Sequence, residues 1–260
     1  MADAATTKGW PRWISRLAAL LCFGSVLAAL IAAVGSGQEI WHFRIGFTVL
    51  RYAFYAAAAG ALLALIALVA GRRSGVLMLT NLLALVVAVG FLLFLGAQYQ
   101  TAQSVPAIHD ISTNLDDMPQ FSRLAVRADN LERVPDMDRA ELKAMAPEER
   151  WKAIHREAYG DIRTIRVRWP VAETIARAER LARERGWEIA RADPQAGILE
   201  ATDTSLFFRF RDDVVVRVRP AREGGGSEVD MRSISRVGGS DVGVNARRVR
   251  SFLEDLQRAG

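Results

Sequence analysis

Cysteine is nearly missing from this chain of 260 residues. The only one, Cys22, sits inside an apolar run, so the rest of the chain can form no disulfide, cysteine metal site or thiol nucleophile. Histidine is scarce too. No Ser-His-Asp elbow, HExxH pair or Walker loop is present, so the commonest hydrolase, metalloprotease and nucleotide-binding signatures are missing. Acids are scarce in one region: only Asp3 and Glu39 precede Gln98, against seven Lys and Arg. The 27 bases and 27 acids that remain balance each other beyond that point. The formal charge of +5 therefore belongs to the N-terminal part, and the high pI is no nucleic-acid footprint.

What is present divides into two phases. Hydrophobic residues make up 51% of a chain that also carries 24% charged residues, which fits a membrane part joined to a water-soluble one. Apolar runs cover Ile14–Val34, Gly46–Ala70 and Gly75–Ala97. Each is long enough to cross about 30 Å of hydrocarbon as a helix. The first is too long for a signal-peptide core, and a second span follows closely, so it reads as a retained helix. Lys8, Arg12 and Arg16 flank its start, Arg72 and Arg73 fill the second loop, and no base follows the third span until Arg123. The positive-inside rule then predicts a cytoplasmic N-terminus and a large C-terminal part outside, which in a Gram-negative cell is the periplasm. Arg51, with Trp41, Tyr52 and Tyr55 nearby, reads as an interfacial anchor.

Beyond the spans, Gln98–Pro106 reads as a polar tether and Pro106–Phe121 as an extended, turn-rich segment. Helices are expected over Met137–Met145 and Pro147–Tyr159, the second with Trp151, Ile154 and Ala158 as its apolar stripe. From Ile162 the pattern is compact α+β. Strands are expected at Thr164–Trp169, Trp187–Arg191, Ile198–Thr202, Leu206–Arg211, Val214–Arg219 and Val229–Ser235, with Asp212 and Asp213 as a two-residue link. Helices follow Pro170, with Ala172, Ile175 and Leu181 inward, and occupy Val242–Gln257. The expected architecture is a membrane-anchored α+β protein: three transmembrane helices in 1–97, a polar, acidic segment in 98–161, and in 162–260 an antiparallel sheet with its helices packed on one face. Residues 98–260 are expected to fold as one unit. The acidic segment carries a charge of −4 and the sheet region +4, so the first is expected to pack against the second.

Strand alternation separates the two faces of that sheet. Leu199, Ala201, Leu206, Phe208, Phe210, Val214, Val216, Val218, Val229 and Met231 fall on the core face. Glu200, Thr202, Phe207, Arg209, Arg211, Val215, Arg217, Arg219, Asp230 and Arg232 fall on the other. Three readings of that arginine-rich face stay open: a solvated surface of weak ion pairs, a face covered by the acidic segment through Asp110, Asp116 and Asp117, or a site for a phosphate, carboxylate or lipid headgroup. The candidate binding residues are Arg209, Arg211, Arg217, Arg219, Asp230 and Arg232. His109 beside Asp110 reads as a loop former or cap, so no metal or cofactor is expected. Gly238–Gly243 precedes a helix N-terminus, but Asp241 is placed to cap that helix itself. Val249, Phe252, Leu253 and Leu256 are expected to pin the last helix to the sheet, with Arg247, Arg248 and Arg250 facing outward.

The segments HDISTNLDDMP, REAYGDI, FRDDVVVRV and DMRSISRVGGSDVGVNARRVRSF resemble the bacterial family catalogued as domain of unknown function 1499. The resemblance covers about residues 106 to 258. Gly160 departs from it, because relatives usually show proline there. The resemblance implies N-terminal membrane spans in many relatives, and it supplies no activity and no catalytic residues. The expected function is a non-catalytic binding or scaffold module of the cell envelope. Its partners would be the lipid bilayer and an envelope protein or anionic headgroup, with no nucleic acid. The alternative is an envelope hydrolase or transferase acting on an anionic lipid, phosphate or cell-wall substrate.

Overall fold

A computed structural model describes residues 10–70, 75–132 and 134–258. Lys8, Arg72 and Arg73, which carry the topology expectation, lie outside the described residues. Two compact units are present: residues 1–100 with 206–209, and residues 101–205 with 210–260.

The first unit holds α1 (Trp10–Gly37), α2 (Phe43–Ala70) and α3 (Gly75–Ser104), each long and apolar enough to cross a membrane. Their shared interior is built from small side chains: Cys22, Ala57, Ala61, Ala84 and Ala88 are buried together. Small residues let helix backbones approach closely where no water is present to drive association. Trp41 folds back on the end of α1. Its indole N–H donates to Ser36 Oγ at 3.1 Å, and its ring lies where a side chain on Gly35 would stand. The tether expected at Gln98 is absent, because α3 continues to Ser104. Its hydrophobicity ends before its backbone hydrogen bonding does.

The second unit is one antiparallel six-strand sheet with helices packed against it. Its strands are β1 (Asp110–Ser112), β2 (Ile165–Val167), β3 (Glu188–Asp193), β4 (Ile198–Thr204), β5 (Arg211–Pro220) and β6 (Ser227–Ser235). The order is β1-β6-β5-β4-β3, and β2 also pairs with β6. Thus β1 and β2 lie end to end along one edge of β6: Ser112 opposes Arg232, and Ile165 opposes Val229. The helices of this unit are α4 (Ala140–Lys143), α5 (Pro147–Tyr159), α6 (Val171–Glu184) and α7 (Val244–Arg258).

Alternation succeeds on β4, β5 and β6. Leu199, Ala201, Val214, Val216, Val218, Val229 and Met231 join one buried core with Ile175, Ala178 and Ala182 of α6 and with Val249, Phe252, Leu253 and Leu256 of α7. Trp187 stacks on Phe252 with ring centroids 5.0 Å apart. Burying each such large side chain is worth roughly 2–3 kcal/mol. Asp241 caps α7 as expected, accepting from the backbone N–H of Gly243 and Asn245.

Five local expectations are corrected. Leu206–Arg211 is a loop up to Arg211, with Phe208 and Arg209 at positive φ, a conformation that breaks strand pairing. Asp212 and Asp213 are interior to β5 and serve opposite faces: Asp212 receives Arg248, and Asp213 receives Arg236 and Thr202. Arg248 is therefore buried, forked between Asp203 and Asp212, rather than outward. On α5 the buried row is Trp151, Ile154, His155 and Tyr159, and Ala158 is exposed. Ala172 of α6 is likewise exposed, its inward place taken by Thr174 and Ala178.

Candidate functional site

The site grows from β6. Asp230 and Arg232 are two residues apart and share a face, and Arg217 of β5 stands directly opposite Asp230. Arg219 is two residues on from Arg217, so it reaches the same carboxylate. Asp230 Oδ2 accepts from Arg217 Nη2 at 2.9 Å and from Arg219 Nη2 at 2.8 Å. Its Oδ1 accepts from the hydroxyls of Thr113 and Thr164. The Asp230 charge is almost fully buried, and four donors compensate it.

A second carboxylate closes the pair from the other side. Asp117 Oδ1 accepts from Arg217 Nη1 at 3.1 Å, and its Oδ2 accepts from Arg219 Nη1 at 2.7 Å. Its main-chain oxygen accepts a further bond from Arg217. Hydrogen bonds from Arg217, then Arg219, hold the Asp117 carboxyl below the ordinary carboxylate range. The two acids differ in setting: the Asp230 side chain is 1% exposed and the Asp117 side chain 57%. Arg217 Nε is buried and has no hydrogen-bond partner among the described residues.

Arg232 takes a different acid. Its Nε and Nη2 fork onto the two oxygens of Asp110 at 2.9 and 2.6 Å. Asn130 donates from Nδ2 to the same carboxylate at 2.7 Å, and its Oδ1 accepts from His109 Nε2 at 3.1 Å. The guanidinium of Arg232 also lies 5.8 Å from the ring centre of Phe121. Further along, Glu200 accepts from the backbone N–H groups of Ser122, Arg123 and Leu124 and from the Ser122 hydroxyl. Burial pushes the Glu200 carboxyl up, but these donors outweigh it and leave it below its ordinary value. The chain from Thr113 to Leu124 is therefore laid across the polar face of the sheet.

The outer edge of β1 is closed by α5. Ile111 faces β6, so the main-chain groups of Asp110 and Ser112 point away from the sheet. Trp151 Nε1 donates to the Asp110 carbonyl at 3.0 Å, and the Ser112 N–H donates to His155 Nε2 at 3.2 Å. Trp151 and His155 are four apart on the helix, which puts them one turn apart on the same side. An accepting Nε2 requires a neutral imidazole with its proton on Nδ1. Burial lowers the His155 pKa to about 4, partly opposed by the charge of Asp110.

Beside this seam is an open cleft of about 600 Å³, where Thr113 and Thr164 meet Asp116, His155, Arg156 and Arg163. Arg156 donates to Asp116 across it at 3.2 Å, and Arg163 Nε donates to the Gly160 carbonyl.

Of the six residues expected on one face, Arg217, Arg219 and Asp230 converge, and Arg232 shares their face but pairs with Asp110. Arg209 sits in the β4–β5 loop at φ 49°. Arg211 keeps the right phase but is exposed at the first residue of β5, roughly 20 Å of strand from Arg217. Sequence reading missed Thr113, Thr164 and His155. Thr113 and Thr164 had no signal, because a threonine beside a short strand is commonplace. His155 had one: it lies four residues after Trp151 on an otherwise polar helix.

Searches of curated proteins and of solved structures find no match to this chain. A family model described as "Protein of unknown function (DUF1499)" matches residues 110–256, from the first residue of β1 to near the end of α7. That match takes in the whole sheet, the arginine pair and both carboxylates that hold it, and the chain belongs to the DUF1499 family.

Proposed function

We propose that this chain is a multi-pass inner-membrane protein that carries its α+β unit in the periplasm as a non-catalytic binding module for an oxyanion group, a phosphate or carboxylate on an envelope component. The observation that carries this reading is the pairing of Arg217 and Arg219 beneath an exposed acid. Both guanidiniums are fixed from below by Asp230, and the Nη1 group of each is met by Asp117, whose carboxylate stands where an external oxyanion would. Planar guanidinium forks suit such groups. Catalysis is the weaker reading because the nearby acid–base groups are engaged. Asp110, Asp117 and Asp230 all accept from arginines, and the lone pair of His155 is used by Ser112. A general acid or base must instead be free to exchange a proton with substrate.

Two measurements test this. Titrating inorganic phosphate into the detergent-solubilised full chain should show saturable binding that Arg219→Gln removes. Asp117→Asn should bind about three- to fivefold tighter, because it removes the exposed carboxylate that pairs with both arginines. Equal binding by wild type and Arg219→Gln would overturn the assignment. The orientation rests on the basic loops. A phosphatase reporter active only in the periplasm should work when fused after Gly260 and fail when fused at Arg73. The reverse pattern would place the α+β unit in the cytoplasm.

A further inference from the structure

Arg51 is a charged residue inside α2 with no acid beside it among the described residues. It is the ninth residue of a 28-residue helix, so it lies about 12 Å along the axis from Phe43 at 1.5 Å per residue. That helix is about 42 Å long and overhangs a hydrocarbon layer of about 30 Å by roughly 6 Å at each end when centred. Arg51 then falls about 6 Å inside the apolar layer, a depth from which a long side chain reaches the headgroup level. Among the described residues no carboxylate hydrogen-bonds or ion-pairs with it, and its guanidinium lies 5.5 Å from the ring centre of Tyr52.

The surroundings of Arg51 are shaped. A groove of about 570 Å³ runs between α2 and α3, walled by Phe54 and Tyr55 on one helix and by Leu95, Gly96 and Tyr99 on the other. Its size is within the range of about 300–1,000 Å³ seen for small-molecule sites. The wall is apolar apart from Arg51 and the two tyrosine hydroxyls. At Gly96 a side chain would meet nothing within 4 Å, so the groove is open there. Thus one end offers a cation and an aromatic hydroxyl, and the rest offers hydrocarbon-like surface. A charge so placed is stabilised most strongly by an opposite charge. The bilayer supplies one molecule with both halves of the complement.

We propose that this groove holds one anionic glycerophospholipid, with its phosphate on Arg51 and an acyl chain lying along Phe54 and Leu95 past Gly96. The phosphate oxygens receive the guanidinium fork. Tyr99, near the end of α3, supplies a hydroxyl at the headgroup level, where tyrosine is favoured. Nothing in this groove depends on Arg217 or Arg219.

The test is lipid retention by the full chain after extensive washing in a non-ionic detergent, read by native mass spectrometry and lipid extraction. Wild type should keep about one phospholipid per chain, enriched in anionic over zwitterionic headgroups. Arg51→Gln should lower retention by about fivefold or more, as expected for loss of a charge-assisted contact. Arg51→Lys keeps the charge and should retain most of it. Gly96→Leu keeps Arg51 but fills the open part of the groove, so it should also release the lipid. If Arg51→Gln fails to fold, Arg51→Lys and Gly96→Leu still decide the matter. Equal retention in wild type and Gly96→Leu, loss of lipid from wild type on washing, or a lipid-free dimer in the spectrum would each overturn the assignment.

Discussion

Arg232→Ala should destabilise the α+β unit by about 3–5 kcal/mol, the usual cost of removing one partner of a buried ion pair. The reason lies in what remains. Asp110 is 1% exposed, and without Arg232 its charge keeps, among the described residues, only the amide of Asn130 as a partner. The loss is local as well as electrostatic. Asp110 opens β1, a strand of three residues, so the pair also ties that strand to β6. A domain of this size has a total stability of about 5–15 kcal/mol, so the loss is a large part of it. Thermal melting of the full chain in detergent should fall by roughly 10 °C. The double variant Asp110→Leu/Arg232→Met should recover much of the difference, because a packed apolar pair leaves no orphaned charge. If the double variant is as unstable as the sum of its single variants, the charge argument is wrong and the side chains act through shape.

Acid should loosen the same seam through His155. Its imidazole must stay neutral to accept from Ser112, and its folded pKa is about 4 against an ordinary value of 6.5. The unfolded chain therefore takes up the proton first. Stability is complete above about pH 6.5, falls as pH drops toward 4, and loses nothing more to this group below that. Over the whole window the loss is about 3 kcal/mol. The charges that bear on the ring are Asp110 and Asp161, which favour protonation, and Arg156, which opposes it. Carboxylates held low by arginines, such as Asp117 and Asp161, also contribute near the acid end of the range. Comparison with His155→Gln separates them, since the amide oxygen can take the Ser112 N–H without titrating. Urea midpoints of the full chain between pH 7 and 4.5 should fall steeply in wild type and much less in His155→Gln. Parallel curves would remove His155 as the cause.

Both effects centre on a segment that sequence reading left without an element. Residues 110–112 form a strand too short for any period to show, and they pair with residues more than 100 positions later. The expected strand at 206–211 failed for a related reason. Its phenylalanines imitate alternation, but Phe208 and Arg209 adopt a left-handed backbone that no residue pattern there announces. On α5 the apolar letters pointed to Ala158, whereas the buried side is completed by His155 and Tyr159, whose polar atoms conceal their burial.

Other parts were legible because a long periodic signal carried them. The three apolar runs marked the candidate spans, since crossing hydrocarbon needs about twenty apolar residues and little else. Alternation on β4, β5 and β6 separated Val216 from Arg217 and Met231 from Arg232, because one face of the sheet is covered by apolar helices. The charge balance of −4 against +4 pointed to an acidic segment meeting a basic sheet. On β5 and β6 the sequence by itself determined that Arg217, Arg219 and Arg232 share a face, since alternation is a property of a single strand, whereas Arg209, placed with them, lies in a loop. Only the tertiary structure decided what each one meets. Arg232 reaches Asp110, and Arg217 reaches both Asp117 and Asp230. Charge attraction does not depend on separation along the chain, so composition announces an acid and a base but not their pairing. That choice is made by the path of residues 113–124 across the sheet, and only the assembled fold sets that path.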